Sequence, residues 1–401
     1  MKLHTRWITF GLLSRKKNNP DPQQPWLRGC KIAFSIYEKS AGQAAARIKE
    51  SSMRSYQLDP TKDVRWAELV EKHPKASVFH TVGWLEALQR TYGYRPVVFT
   101  TSPLNGELKN GLVFCRVRSW LTGGRMVSLP FSDHCEPLFD SGRDMHFVME
   151  YLQADLQHRD WKYIEVRPVN GSFCQEGEKM GFRPAKRYCL HRLDLRPDLD
   201  QLFRSLHKDS AQRRIRRAER AGVVYKRGRS IQLLKDFYDL LVLTRGRQHL
   251  PPQPYLWFRN LVDCMNDALE IRLAYHAQIP IAAILTLRFR NTVYYKYGCS
   301  DAKFKHLGGM PFLLWKTIEE SKAAGAEEFD LGRSESDNRG LILFKNHWAQ
   351  GPTKLAYWRF PAPDTLVSEE TRKLNMVKWV FACIPDRLLA ATGRLIYRHI
   401  G

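Results

Sequence analysis

No two of the eight cysteines are spaced as CxxC, and no matching pair of histidines accompanies them. Cys30, Cys115, Cys135, Cys174, Cys189, Cys264, Cys299 and Cys383 are scattered. That pattern argues against a zinc site or a small disulfide framework and fits reduced thiols. Long apolar runs are also lacking: none approaches the roughly 18 to 20 residues that a membrane-spanning helix needs. The apolar run Trp7 to Leu13 is short for a secretory leader and has no convincing cleavage site, so the chain is expected in the cytoplasm. Acid is scarce as well. Against 64 Lys and Arg stand 41 Asp and Glu, a formal charge of +23. A field of that size attracts anions of several kinds: tRNA, nucleotide diphosphates, coenzyme A, or the anionic inner face of a membrane.

What is present is enough to build a core. With 43% hydrophobic and 12% aromatic residues in 401, the chain is expected to form two domains of about 150 residues each plus tails. Residues 1–55 read as a basic, unstructured tail, with Met53 opening a more regular pattern. Residues 363–401 read as an amphipathic helical tail suited to a membrane interface or to packing back on the body. Between them, strands joined by helices point to mixed α/β layers. Strands are expected at Pro96–Thr101, Gly111–Val117, Tyr163–Val166, Glu270–Tyr275, Ile281–Arg288 and Asn291–Tyr297. Helices are expected at Val64–Val70, Trp84–Tyr92, Met145–Gln157, Asp200–Ala221, Ile231–Gly246 and Tyr255–Asn266.

The stretch Lys303–Gly351 carries the most information. His306 to Pro311 supplies two glycines and a helix-start proline, and a helix follows to Ala324-Gly325. Glu328 to Leu331 alternates as a short strand. Gly332 to Gly340 is polar and turn-rich, hence a loop, and the apolar run Leu341–Phe344 should anchor Lys345.

Four motifs together resemble the FemAB-like peptidyltransferases and the related BioF2-like acyltransferases of the GNAT superfamily. They are Ser77-Val78-Phe79-His80-Thr81-Val82-Gly83-Trp84, Arg213 to Val223, Tyr294 to Ser300, and Asp330-Leu331-Gly332 through to Phe344-Lys345. The resemblance runs from about Trp66 to Phe360. It implies tandem GNAT-like domains, 56–196 and 197–362, and an acyl or aminoacyl transfer from an activated ester or thioester to an amine, in envelope or peptidoglycan metabolism. The donor would be acyl-CoA or aminoacyl-tRNA, with no tightly bound cofactor or metal.

Each motif residue takes an expected place in that reaction. Lys345, held by Phe344, would stabilise the charge that builds on oxygen during aminolysis. Tyr295 and Tyr297 alternate on one strand and so should face one cleft, with Tyr294 and Lys296 opposite. Tyr255, Arg333, Asp337, Asn338, His80 and Trp84 are candidate substrate contacts. Arg213 and Arg217 lie on a helix with one cationic face, fit for phosphate or tRNA backbone. Gly308 and Gly309 precede a helix N-terminus, a ready anion site for a CoA pyrophosphate.

The departures from the resembled pattern matter too. Proline stands near Tyr255 where a precursor-gripping arginine is expected, Leu88 stands in place of a lysine, and Arg167 in place of an acid. The acceptor is therefore expected to differ, and the amine either arrives neutral or meets Glu165 or another acid. A non-catalytic reading, nucleic-acid or membrane-surface binding through the basic helix and tails, remains the alternative.

Overall fold

The computed structural model describes residues 54–120, 123–158, 161–169, 171–363, 393 and 396–399. Apart from Arg54 these fall in one compact unit, Ser55–Gly401. The expected N-terminal tail and most of the C-terminal tail lie outside the described residues. The last described turn packs on the body: Tyr94 Oη donates to Tyr397 O at 3.0 Å, and Tyr397 Oη to Pro251 O at 3.0 Å.

The chain opens with β1 (Tyr56–Leu58), α1 (Val64–Lys72) and α2 (Val82–Tyr92), then the antiparallel β2 (Arg95–Thr100), β3 (Leu112–Ser119) and β4 (Gly123–Val127). Helix α3 (Gly142–His158) crosses to β5 (Tyr163–Val166), and α4 (Gly171–Lys179) leads to β6 (Arg183–Asp194). The second half repeats the plan. It runs through α5 (Leu199–Ser205), α6 (Arg213–Arg220), β7 (Val224–Gly228), α7 (Ile231–Arg247) and α8 (Tyr255–Met265). The meander β8 (Leu269–His276), β9 (Ile279–Phe289) and β10 (Thr292–Ser300) follows, then α9 (Gly309–Ala323), β11 (Glu328–Glu335), α10 (Arg339–Asn346) and β12 (Thr353–Phe360).

Twelve strands among the described residues form one mixed sheet, ordered β1-β2-β3-β4-β5-β12-β6-β11-β10-β9-β8-β7. Two pairings are parallel, β4 with β5 and β10 with β11, each made by a helical crossover of the length such connections require. The last strand of each half is exchanged: β6 pairs with β11, and β12 lies between β5 and β6. The mixed α/β architecture of two related halves, expected from the sequence, is observed. One apolar cluster packs Trp66, Trp84, Trp257 and Phe258 under one face of the sheet. A second packs α6 and α9 through Ile215, Ala218, Leu313 and Ile318 on the other.

Three local expectations are corrected. The segment Asp200–Ala221 is not one helix. Leu206 is extended at ψ 148°, His207 Nδ1 accepts from Ser210 N at 3.2 Å, and a wider turn over Lys208–Gln212 precedes α6. The strand at Glu328 does not stop at Leu331, because Gly332 at φ 71° takes up the irregularity and buried Ser334 continues it. The apolar run before Lys345 belongs to helix α10, whose buried residue is the lysine itself while Leu343 is 59% exposed.

Candidate active site

The parallel pair at the centre of the second half is brief. Strands β10 and β11 pair only over Thr292–Tyr294 and Glu328–Asp330, though β10 runs on to Ser300 and β11 to Glu335. Register shifts follow at once, between Tyr295 and Tyr297 on β10 and between Asp330 and Arg333 on β11. Such bulges re-aim side chains and end pairing, and the two strands part into a wedge. Asp133, from the loop after β4, reaches into it. A Cβ added to Gly332 would stand 3.2 Å from Asp133 Oδ2 and 3.3 Å from Tyr295 O.

That loop is strained. Leu129 and Phe131 hold φ of 64° and 61°, a region bulky side chains avoid. It is tied down by buried groups: Arg167 Nη1 donates to Leu129 O at 2.7 Å, and Tyr357 Oη donates to Asp133 O at 2.8 Å. Backbone strain held in this way gathers where a side chain must be placed for function.

Asp133 is surrounded by cations. Lys296 Nζ donates to its Oδ2 at 3.0 Å, with side chains 7% and 14% exposed. Arg333 Nε lies 3.8 Å from Oδ1, its guanidinium stacked 4.2 Å over Tyr188. The Lys296 ammonium also sits 5.3 Å from the Phe79 ring and 5.8 Å from those of Trp84 and Tyr297. Burial pulls the Lys296 pKa down against the pull of Asp133.

Lys345 completes the group. It is 3% exposed, and its Nζ donates to Gly332 O at 2.8 Å and Arg333 O at 2.9 Å. An ammonium has three donors. The third has no partner among the described residues. Burial lowers its pKa to about 8, resisted by Asp133 and Asp330 and reinforced by Lys296 and Arg333. Beneath it, Asp330 Oδ1 accepts from Gly332 N at 2.7 Å and Oδ2 meets His134 Nε2 at 3.2 Å and Arg192 Nε at 3.3 Å, fixing the turn whose carbonyl holds the lysine.

The tyrosine expectation is corrected. The bulge adds a residue between Tyr295 and Tyr297, so the two do not face one cleft. Tyr297 joins Tyr294 in the cluster with Trp257, whose Nε1 donates to Tyr297 Oη at 2.9 Å. Tyr295 packs toward the opposite cluster, its ring folded over Gly298: a Cβ there would fall 1.8 Å from Tyr295 Oη. Lys296, expected opposite Tyr297, reaches the same aromatic group.

Of the remaining candidates, Trp84 and Arg333 border the wedge, and Phe344 is half-buried beside Lys345. Asp337 is exposed, and Asn338 caps α10 by accepting from Leu341 N at 3.1 Å. His80 is fully buried and spent on structure, with Nδ1 3.0 Å from both Ser77 N and Ser77 Oγ and Nε2 3.0 Å from Glu136 O. Burial takes its pKa to about 4, so it is neutral. Tyr255 packs edge-on against Tyr238 at 5.2 Å. Arg213 pairs with Asp209 at 2.6 Å, and Arg217 Nη1 donates to His306 O at 3.4 Å. Gly308, at φ 76°, lets α9 begin against α6; its Cβ would strike Arg214 O at 2.4 Å.

Glu165 is corrected as a base. Burial would raise its pKa, but Arg167 at 2.8 Å and Arg359 at 2.7 Å, with Lys186, hold it at about 2. A carboxylate so paired is a poor proton acceptor. Asp133 was not foreseen at all, because nothing local marks a loop aspartate whose partners lie more than 160 residues away.

Residues 205–339 match the family model described as the acetyltransferase (GNAT) domain. Over that stretch, about a third of its length, the chain is similar to the GNAT acetyltransferases. Its fold is FemAB-like: the crystal structure of FemX superposes with a TM-score of 0.61 at 14% identity, over 80% of this chain and 99% of that one. A tandem GNAT protein from the clavulanic acid biosynthesis pathway gives 0.51 at 10% identity, over 78% and 100%. A conserved protein of unknown function from Bacteroides thetaiotaomicron gives 0.51 at 11%, over 77% and 98%. At these identities the likeness establishes the fold. Among curated proteins no sequence matches this chain. No described helix is long and apolar enough to cross a membrane.

Proposed function

We propose that this chain is a GNAT-type acyltransferase that moves an acyl or aminoacyl group from an activated thioester or ester to an amine, in the wedge between β10 and β11. The observation that carries the reading is Lys345: a buried ammonium with two donors fixed on Gly332 O and Arg333 O and one unspent. Attack of a neutral amine on the carbonyl carbon forms the C–N bond and places negative charge on oxygen. The free N–H of Lys345 receives that charge in a site already desolvated, where a preorganised donor counts most. The oxyanion then collapses, the C–S or C–O bond breaks, and the amine proton leaves with the thiol or alcohol.

Lys296 and Arg333, balanced only in part by Asp133, add positive potential for an anionic donor or acceptor. The tandem units 56–196 and 197–362 exchange their last strands, so the first contributes Asp133 and the second Lys345 to one site. An acyl-CoA thioester is the favoured donor, because its phosphates suit the edge where the exposed arginines of α6 meet the N-terminus of α9 at Gly308. Aminoacyl-tRNA would use the same arginines. The FemAB-like fold favours an envelope or polysaccharide amine as acceptor, met at the inner face of the membrane.

The test pairs two assays on the purified protein. Thiol release from an acyl-CoA panel is followed with amino sugars and amino acids as acceptors, and deacylation of charged tRNA is followed with the same amines. Amine-dependent release from either donor supports the reading, and release from neither with any amine rejects it.

A further inference from the structure

A second cleft, of about 230 Å3, opens at the far ends of β10 and α9 from the wedge. Val293 marks its place on β10, Glu320 and Ser321 on the last turn of α9, and Ala324 at that helix's C-cap. Strands β7, β8 and β9 supply Arg227, Arg272 and Arg288, and Arg229 stands at the rim. Nothing in the proposed reaction uses this cleft.

Its hydrogen-bonding ledger does not close. Four arginines meet three carboxylates, Asp267, Glu270 and Glu320. Arg272 is fully engaged: Nε reaches Tyr225 Oη at 3.1 Å and Glu320 Oε2 at 3.4 Å, Nη1 donates to Thr286 Oγ1, and Nη2 meets Glu270. The others are not. Arg227 commits Nη1 to Glu320 at 3.2 Å and Glu270 at 3.6 Å, and Arg229 commits Nη2 to Asp267. Arg288 gives Nη2 to Ala324 O at 2.6 Å and Nε to Arg290 O at 3.4 Å, leaving Nη1 without a partner among the described residues. Its contact with Ala324 O also blunts the negative end of α9.

Ser321 provides the independent observation. It is 5% exposed and lines the cleft, yet its buried hydroxyl has no partner among the described residues. A buried hydroxyl left unpaired is costly and calls for an acceptor. Serine on a helix can satisfy itself by donating to the carbonyl four residues back, as Thr317 does to Leu313 O at 2.7 Å. Ser321 does not.

We infer that this cleft binds a compact oxyanion, the phosphate or carboxylate of a small molecule, gripped by Arg227, Arg229 and Arg288 with the Ser321 hydroxyl as the inner donor. Glu270 and Glu320 hold Arg227 and Arg272 in place. The guanidiniums supply the forked, charge-assisted donors that phosphate and carboxylate accept.

Calorimetric titration of the full-length protein with inorganic phosphate and, separately, with citrate at fixed ionic strength tests this. Saturable binding of one or both is expected, and the tighter probe names the source. The isotherm should persist in Lys345→Met, which removes the wedge cation. It should weaken ~tenfold or more in Arg227→Gln/Arg288→Gln. Ser321→Val, close in volume and without the donor, should also weaken it several-fold and serves if the double variant does not fold. No saturable binding of either probe, or binding that neither Ser321→Val nor the arginine variant weakens, overturns the assignment.

Discussion

The Lys296 ammonium donates to the Asp133 carboxylate at 3.0 Å across 163 residues of sequence, joining a strand of the second half to a loop of the first. Asp133 also lies 3.8 Å from Arg333 Nε, so one largely buried acid serves two cations at that point. Removing the acid should therefore cost more than a surface ion pair would. Asp133→Asn should lower stability by about 3 kcal/mol, since breaking a buried pair strands the remaining charge. Urea unfolding measures it. A change within ~0.5 kcal/mol would mean that Lys296 is already neutral.

Gly332 bears on the same contact. At φ 71°, with Asp133 Oδ2 3.2 Å from its missing Cβ, it cannot take a side chain without strain and displacement of the acid. Gly332→Ala should cost about 1–3 kcal/mol and reduce turnover together with stability. An alanine variant as stable as the wild type would show that the wedge is wider than described.

The bulge at Tyr295 makes a paired prediction. Tyr295 Oη occupies the space of a Gly298 Cβ, so Gly298→Ala should destabilise strongly, and adding Tyr295→Ala should recover part of the loss. A double-mutant cycle reads the coupling, expected at about 1 kcal/mol or more. Additive effects would place the Tyr295 ring elsewhere.

The acidity of Lys345 fixes a pH dependence. Its folded pKa, about 8, lies below the ordinary lysine value of 10.5. Between those values the unfolded chain binds more protons than the folded one, so this group's contribution to stability rises with pH through that window and is lost as pH falls through about 8. Turnover runs the other way, because only the ammonium stabilises an oxyanion. The rate should fall above about pH 8, and Lys345→Arg should move that falling limb upward in the pH–rate profile. An unmoved limb would assign it to the substrate.

Much of the scaffold was legible. Tyr163–Val166 alternates cleanly and forms the strand expected, and Ile231–Gly246 and Tyr255–Asn266 match helices α7 and α8 within a residue or two. Strand β6 was not foreseen, because Arg183, Lys186, Arg187 and Arg192 interrupt its pattern although it lies at the sheet's centre. Strand β12 was hidden for a related reason: its place between β5 and β6 comes from an exchange between halves that no local pattern encodes. Lys345 was legible through its motif, but the reason it is held was not. The apolar run before it suggested an anchor, whereas two backbone carbonyls of a glycine-bent strand hold the ammonium. Alternation placed Tyr295 beside Tyr297, and a single bulged residue undoes that inference.

The central claim is that one buried ammonium carries the chemistry. Lys345→Met keeps the side chain's length and removes the charge, so it should fold with a melting temperature at pH 7 equal to or above the wild type while single-turnover acyl transfer falls by about 10² to 10³. A variant that stays folded and transfers at the wild-type rate would contradict the account.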